Sequence, residues 1–378
     1  MQGIVNEKRL VGELIELLKV DSPTGHEQVL ASLLERKLAA LDVRVQRCPS
    51  GMGSDNLVCQ LPGTTAGKTL LFSAHMDTVA AAVHVQPRFS CGRFSSAGTM
   101  SARGSDDKTG IAALLEALRV VRECGLPHAG LRIVLTAGEE SGLIGAKALD
   151  RELILADYGF VLDGEGKVGG IIAETPYRRR LIVDVCVSER FRQKRAQKAS
   201  AMAVATAAVA HMPLGHITAT TAAEIVRFER VSADGVDHVK ITVEICTADT
   251  FGLHQQSERI IAAFQQAASQ AGGIARVDVV EHYAGYHFSA NAPVVRRACA
   301  AVKAIQCQPE LLTSQWGSDA NIFSALGVPT VALSVGFERI HTPEEYLPMG
   351  ELVRTVKLVL ALIAGACALK DSWQTRYS

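Results

Sequence analysis

The sequence predicts an α/β fold in which a larger domain is interrupted by a smaller α+β domain. Three observations predict it. At 378 residues the chain is long enough for two domains. Short apolar runs rich in branched residues alternate with segments of helical spacing, and several runs end in acidic or histidine-bearing turns. Between residues 174 and 283 the character changes to alternating strands around an alanine-rich helix, after which the first pattern resumes. The predicted domains are therefore 1–173 with 284–378, and an insert over 174–283.

The elements follow in order. Leu10, Leu14, Leu17 and Leu18 give residues 5–20 helical spacing, which stops at the turn cluster Asp21-Ser22-Pro23-Thr24-Gly25. His26-Glu27 open a second helix through Ala40, with Leu30, Leu33, Leu34 and Leu38 on one face. Val43–Arg47, Asn56–Leu61 and Leu70–Ala74 read as strands, and a hairpin-like region follows. Ile111–Arg122 is a helix and Leu131–Leu135 a buried strand. A helix near Ala146–Leu153 and a strand at Tyr158–Leu162 close the first segment. In the insert, Leu181–Val187, Ile225–Arg230 and Val239–Cys246 read as strands, and Ser200–Ala210 and Ser257–Ala271 as helices. Ala292–Ile305, the helix opened by Gln315–Asn321, the strand Thr330–Val335 and the helix Leu352–Leu369 complete the chain.

Composition excludes several classes. Apolar content of 48% with 21% charged residues is the profile of a globular protein. A formal net charge of zero provides no field for nucleic acid or an anionic membrane. The longest apolar candidate, Leu358–Leu369, is too short to span a bilayer and reads as a core helix. The nine cysteines are scattered with no CxxC pair, and no signal-peptide pattern opens the sequence, so a reducing cytoplasm is expected.

The chemistry gathers at strand ends. Glu139 and Glu140 follow the strand Leu131–Leu135, where open α/β sheets place their sites. Two adjacent side chains cannot point the same way from an extended backbone, so one glutamate can bind a metal while the other faces a water. Alone, the pair reads as a solvated acidic turn, and only its surroundings make it a candidate site. His75 and Asp77 follow the strand Leu70–Ala74, a pattern suited to a metal-bound imidazole steadied by a carboxylate, though HxD is common. Asp106 and Asp107 stand before a helix, either as caps or as a carboxylate bridging two metals. Asp163 ends another strand, and His341 follows Thr330–Val335. Two histidines and several carboxylates without cysteine suit two divalent ions, Zn²⁺ foremost, and the same ligands tolerate Co²⁺ or Mn²⁺.

SAHMDTV, RGSDDKTGIAALLEAL, LTAGEESGLIGAKALD, VLDGEG, WGSDANIF and IHTPEEY occur in this order. Together they resemble the di-zinc metallopeptidases related to peptidase T, in the wider group of carboxypeptidase G-like enzymes, aminoacylases and tripeptidases. The resemblance implies a catalytic domain with a mixed sheet flanked by helices and an inserted α+β lid that commonly mediates homodimers. It implies His75 and Asp163 as ligands of one zinc, Glu140 and His341 of the second, and Asp106 as the bridge. Asp77 is then the partner orienting His75, Glu139 the general base, and the Asp106–Asp107 peptide cis. The implied reaction is hydrolysis of an amide bond in small peptides or N-acyl amino acids.

The insert departs from that pattern. Arg190 stands where a substrate-binding histidine is expected, and Ala233-Asp234-Gly235-Val236 carries no expected asparagine. Ile245-Cys246-Thr247 replaces a segment whose arginine grips a substrate carboxylate. Arg190 and Asn321 are the candidate substrate contacts, with His211, His216 and His238 as nearby alternatives. Trp316 stands where glycine is usual, which narrows the expected pocket. The basic runs Arg178-Arg179-Arg180 and Glu189–Lys198 are expected to be solvated surface. Loss of the carboxylate-gripping arginine points to an amide without a free α-carboxylate. The competing reading is a weakly active or inactive homologue that keeps the metal site and acts by binding or assembly; an intact Glu139 argues against it.

Overall fold

The computed structural model describes residues 3–96, 104–187, 200–231 and 237–368. It divides into two compact units, Met1–Glu174 with His287–Ser378, and Thr175–Tyr286.

The first unit is built on a mixed nine-stranded sheet. Its strands are β1 (Val45–Pro49), β2 (Asp55–Leu61), β3 (Leu70–His75), β6 (Leu131–Thr136), β7 (Tyr158–Gly164), β8 (Gly170–Thr175), β14 (Tyr286–His287), β15 (Glu310–Thr313) and β16 (Thr330–Ser334). The order is β1-β2-β6-β3-β7-β16-β8-β14, with β15 beside β8. β6, β3, β7 and β16 are parallel neighbours, so their carboxyl ends share one edge. β3 and β16 are buried at every position, as strands covered on both faces must be, and this is why they read as unbroken apolar runs. A three-stranded sheet of β4 (Pro87–Ser90), β5 (Arg93–Ser96) and β17 (Leu347–Pro348) accounts for the hairpin-like region.

Helices α1 (Glu7–Leu18), α2 (Gln28–Ala39), α3 (Ser105–Glu123), α4 (Ile144–Lys147) and α5 (Arg151–Ile154) belong to this unit. So do α8 (Pro293–Ala304), α9 (Asp319–Ala325) and α10 (Met349–Ala366). α1 buries Leu10, Leu14, Leu17 and Leu18, and the Asn6 side chain caps it by accepting the Arg9 N–H. α3 is buried along nearly its whole length. The single helix expected near Ala146–Leu153 is two short ones, α4 and α5. Among the described residues, no helix is long and apolar enough to cross a membrane.

The second unit is a five-stranded antiparallel sheet in the order β10-β11-β12-β9-β13. These are β9 (Tyr177–Val187), β10 (Gly215–His216), β11 (Thr221–Arg230), β12 (Asp237–Thr247) and β13 (Ile274–Tyr283). Helices α6 (Ala201–His211) and α7 (Thr250–Gln270) cover one face, over a core of Leu181, Val183, Val185, Val239, Ile241 and Val243. Sequence reading missed β13, an edge strand with Arg276, Asp278 and Glu281 in it and weak burial. The run Arg178–Arg180 departs from its expected solvated state. Arg179 is buried, donating to Ser257 Oγ and paired with Glu281, while Arg178 and Arg180 pair with Glu244. Arg190, the basic run Glu189–Lys198 and the segment Ala233–Val236 lie outside the described residues.

Candidate active site and metal centre

The carboxyl edge of the sheet carries the site. His75 is the last residue of β3 and stands opposite Thr136, the last residue of β6. Asp163 lies near the end of β7, and His341 follows β16. Asp106 and Asp107 sit at the start of α3, joined by a cis peptide bond, and Asp106 has non-helical backbone angles.

Asp106 is the hub. Its Oδ1 lies 3.1 Å from His75 Nε2, and its Oδ2 lies 3.2 Å from His341 Nε2. Asp163 Oδ1 is 3.7 Å from His75 Nε2, and Glu140 Oε1 is 2.8 Å from His341 Nε2. Among the described residues, two groups have the donors and spacing to hold a metal: His75, Asp106 and Asp163, and Asp106, Glu140 and His341. Within each group the donor atoms lie within 4.8 Å of one another. The imidazole and carboxylate donors suit a borderline-hard divalent ion.

The tautomer of His75 has a visible cause. Its Nδ1 lies 2.8 Å from the main-chain oxygen of Asp77 and 3.5 Å from the Asp77 carboxylate. With a proton held on Nδ1, Nε2 is the ring nitrogen turned toward Asp106 and Asp163. The Asp77 carboxylate itself is turned toward other partners. It accepts the N–H of Glu139 (2.9 Å) and Glu140 (3.1 Å) and the hydroxyl of Thr24 (2.7 Å). Asp107 accepts the His75 N–H at 3.2 Å and the Gly110 N–H at 3.0 Å, so it steadies both motifs.

The electrostatics express crowding. Burial, then the nearby Asp106, pushes Asp163 up to about 8. Burial and the charge of Asp163 hold Glu139 and Asp107 well above the usual carboxylate range. Hydrogen bonds to Asp106 and Glu140 lift His341 to about 10. For His75, burial works downward, but bonds to Asp106, Asp163 and Asp77 outweigh it and raise the ring well above its ordinary value. Asp106 moves the other way; burial opposes ionisation, yet the two imidazoles hold it below the carboxylate range. Either protons or divalent ions can offset crowding of this kind.

The structure brings His75, Asp77, Asp106, Glu139, Glu140, Asp163 and His341 together. Asn321 plays a local part: its side-chain oxygen accepts the Ser318 N–H in the capping box that starts α9. Trp316 is 67% exposed. Among the alternatives in the insert, His238 is bonded to Asp184 at 2.8 Å.

Several supporting residues escaped sequence reading. Ser22 donates to Met76 O, and Thr24 to Asp77, so the turn cluster that ends the first helix also buttresses the His75–Asp77 segment. Glu345 accepts the Ser105 N–H at 2.5 Å, linking the His341 loop to the start of α3. Asp319 accepts the Thr136 hydroxyl at 2.5 Å across a long sequence separation. No local pattern marks such pairings, although Glu345 and Asp319 do lie inside the quoted motifs IHTPEEY and WGSDANIF.

A mixed sheet that carries, at its carboxyl edge, two carboxylate–imidazole groups sharing one aspartate is an arrangement suited to metal-assisted hydrolysis. Residues 71–365 match the model of peptidase family M20/M25/M40, and the chain belongs to that family. It is 40% identical to YqjE of Bacillus subtilis over 96% of this chain and all of the relative. The crystal structure of aminopeptidase PepT from Bacillus cereus superposes with a TM-score of 0.85 at 38% identity, covering 96% of this chain and 100% of that one. A tripeptidase from Staphylococcus aureus superposes with a TM-score of 0.87 at 33% identity, covering 98% and 100%. The chain is a peptide-bond hydrolase of the peptidase T-like group.

Proposed function

We propose that this chain is a dinuclear metallopeptidase that removes residues from short peptides, tripeptides foremost, with Zn²⁺ as its resident metal. The observation that carries this reading is Asp106, whose two oxygens divide between His75 and His341. His75, Asp106 and Asp163 would hold one ion, and Asp106, Glu140 and His341 the other. A relative named aminopeptidase PepT and another named tripeptidase support short peptides as the substrate class.

When bound, such a pair of ions supplies a water of lowered pKa and polarises the scissile carbonyl. The residues of the chain do the rest. Asp77 fixes the turn that carries Glu139 and Glu140 by accepting both their N–H groups. Glu139 takes the proton of the attacking water and returns it to the leaving nitrogen, so that water and amide become acid and amine. Its buried position keeps that proton on a basic carboxylate. Arg190 and Asn321 remain the proposed substrate contacts, and a homodimer through the second unit and a cytoplasmic location complete the reading.

The test is turnover of zinc-loaded protein on tripeptides, dipeptides, N-acyl amino acids and amides without a free carboxylate, with Glu139→Gln as control. Tripeptide cleavage lost in the control is expected. No cleavage of any substrate by folded, metal-loaded protein would overturn the proposal, and preference for amides without a free carboxylate would replace its substrate class.

A further inference from the structure

The turn carrying Glu139 and Glu140 satisfies its backbone in an uncommon way. The Ala137 N–H donates to Asn56 Oδ1 at 3.0 Å, and the Gly138 N–H to Glu27 Oε1 at 3.1 Å. The Glu139 and Glu140 N–H groups donate to the two oxygens of Asp77. Four consecutive amides are thus held by side chains from three separate segments. Most side-chain acceptors on backbone serve one amide near a helix end or a turn; here they replace a stretch of sheet ladder.

Glu27 and Asn56 are fully buried and belong to neither donor group of the metal centre. Asn56 grips the turn at both ends, since its amide also donates to Gly145 O at 2.9 Å. A Cβ on Gly145 would collide with Ala137 O and Asn56 Oδ1, so the turn closes only around glycine. Gly138 sits at φ +67°, a left-handed angle that turns the chain out of β6. Glu27 Oε1 takes a second N–H, from Gly25, while its Oε2 is buried with no partner among the described residues. Leaving a buried carboxylate oxygen unpartnered is costly. A carboxylate is nonetheless the stronger acceptor for two amides, because charge-assisted bonds are about twice as strong as neutral ones.

We infer that Glu27 and Asn56 are positioning residues for the hydrolytic step. They act through the Ala137–Gly138 backbone and set the direction in which Glu139 and Glu140 diverge. This rests on the proposed role of Glu139 as base. A base must sit within a fraction of an ångström of its productive place, and a displacement of about 1 Å can cost about 100-fold in rate.

The experiment compares zinc-loaded wild type, Glu27→Ala, Glu27→Gln and Asn56→Asp on a tripeptide, with zinc content and kcat and KM measured separately. Amide hydrogen exchange over residues 136–142 is followed in the metal-free proteins. E27A is expected to lose about 10- to 100-fold in kcat with KM and zinc content little changed. E27Q, which keeps an acceptor, should lose about 3-fold or less, and N56D, which loses its grip on Gly145, about 3- to 10-fold. Exchange over 136–142 should quicken in E27A ahead of the rest of the molecule. A purely structural role would lower the melting temperature and quicken exchange everywhere without moving kcat. Wild-type kcat or unchanged local exchange in folded E27A overturns the inference. If E27A does not fold, wild-type kcat and exchange in N56D overturn it instead. A wild type without turnover sinks the hydrolase reading alone, because the exchange comparison still decides whether these residues hold the turn.

Discussion

Two charge clusters in this molecule are built on opposite rules. In the second unit, Arg178 and Arg180 share Glu244, and Arg179 is matched by Glu281 and Ser257. Every buried charge there has a partner inside the chain. In the first unit, Asp106, Asp107, Asp163, Glu139 and Glu140 crowd around only two imidazoles, and several of them are pushed up the pH scale. Paired charge is architecture and closes on itself. Crowded like charge is stable only with added cations, whether protons or metal ions. The difference sets the first cluster apart as the candidate site and the second as a strut.

The comparison breaks most sharply at Glu139. Glu139→Gln should retain its metal and lose about 10³-fold in turnover, measured as kcat on a tripeptide beside elemental analysis. Loss of metal in that variant would make Glu139 a ligand rather than a base. Next come the ligands: His75→Ala or His341→Ala should lower the zinc-to-protein ratio by about one, since each donor set would be left with two carboxylates. An unchanged ratio would remove that imidazole from the centre.

Proton and metal compete for the same cluster, which gives a third, smaller effect. Asp163 and His341 have folded values of about 8 and about 10, both above their ordinary ones. Groups raised in this way stabilise the metal-free fold fully below their unfolded values and lose that contribution as pH rises through the folded ones. The metal-free chain should therefore weaken from about pH 4, where Asp163 begins to lose its contribution, up to about 10, where His341 finishes losing its own, while the zinc-loaded chain should not. The gain in melting temperature on adding zinc should widen with pH; at about 100 times Kd it corresponds to about 2.7 kcal/mol. A zinc increment that shrinks over the same range would contradict the competition.

The smallest effect belongs to the strut. Arg179→Met should cost about 2 kcal/mol of stability in denaturant unfolding, because it removes two hydrogen bonds from a charged donor. Turnover at a temperature well below melting should stay at the wild-type level. A fall in kcat without a fall in stability would give the second cluster a part in catalysis.

The α/β class, the buried strands and the strand-end positions of His75, Glu139, Asp163 and His341 were legible in the sequence. They depend on local apolar patterning: β3 and β16 are buried at every position, and β6 at every position but Arg132. Edge strands such as β13 and β15 were not legible, because half-exposed strands with charges carry little hydrophobic signal. The run Arg178–Arg180 was misjudged for a related reason: composition shows charge but cannot show the partner that lets it be buried.

The sequence by itself determined which residue types stand at the carboxyl ends of the strands, since strand and turn signals are local. Only the tertiary structure decided how they are held. Asp106 meets His341 across 235 positions, Thr136 meets Asp319 across 183, and Gly138 meets Glu27 across 111. Such contacts follow from strand order and register, which bring distant segments to one edge of the sheet, and no local signal encodes that order.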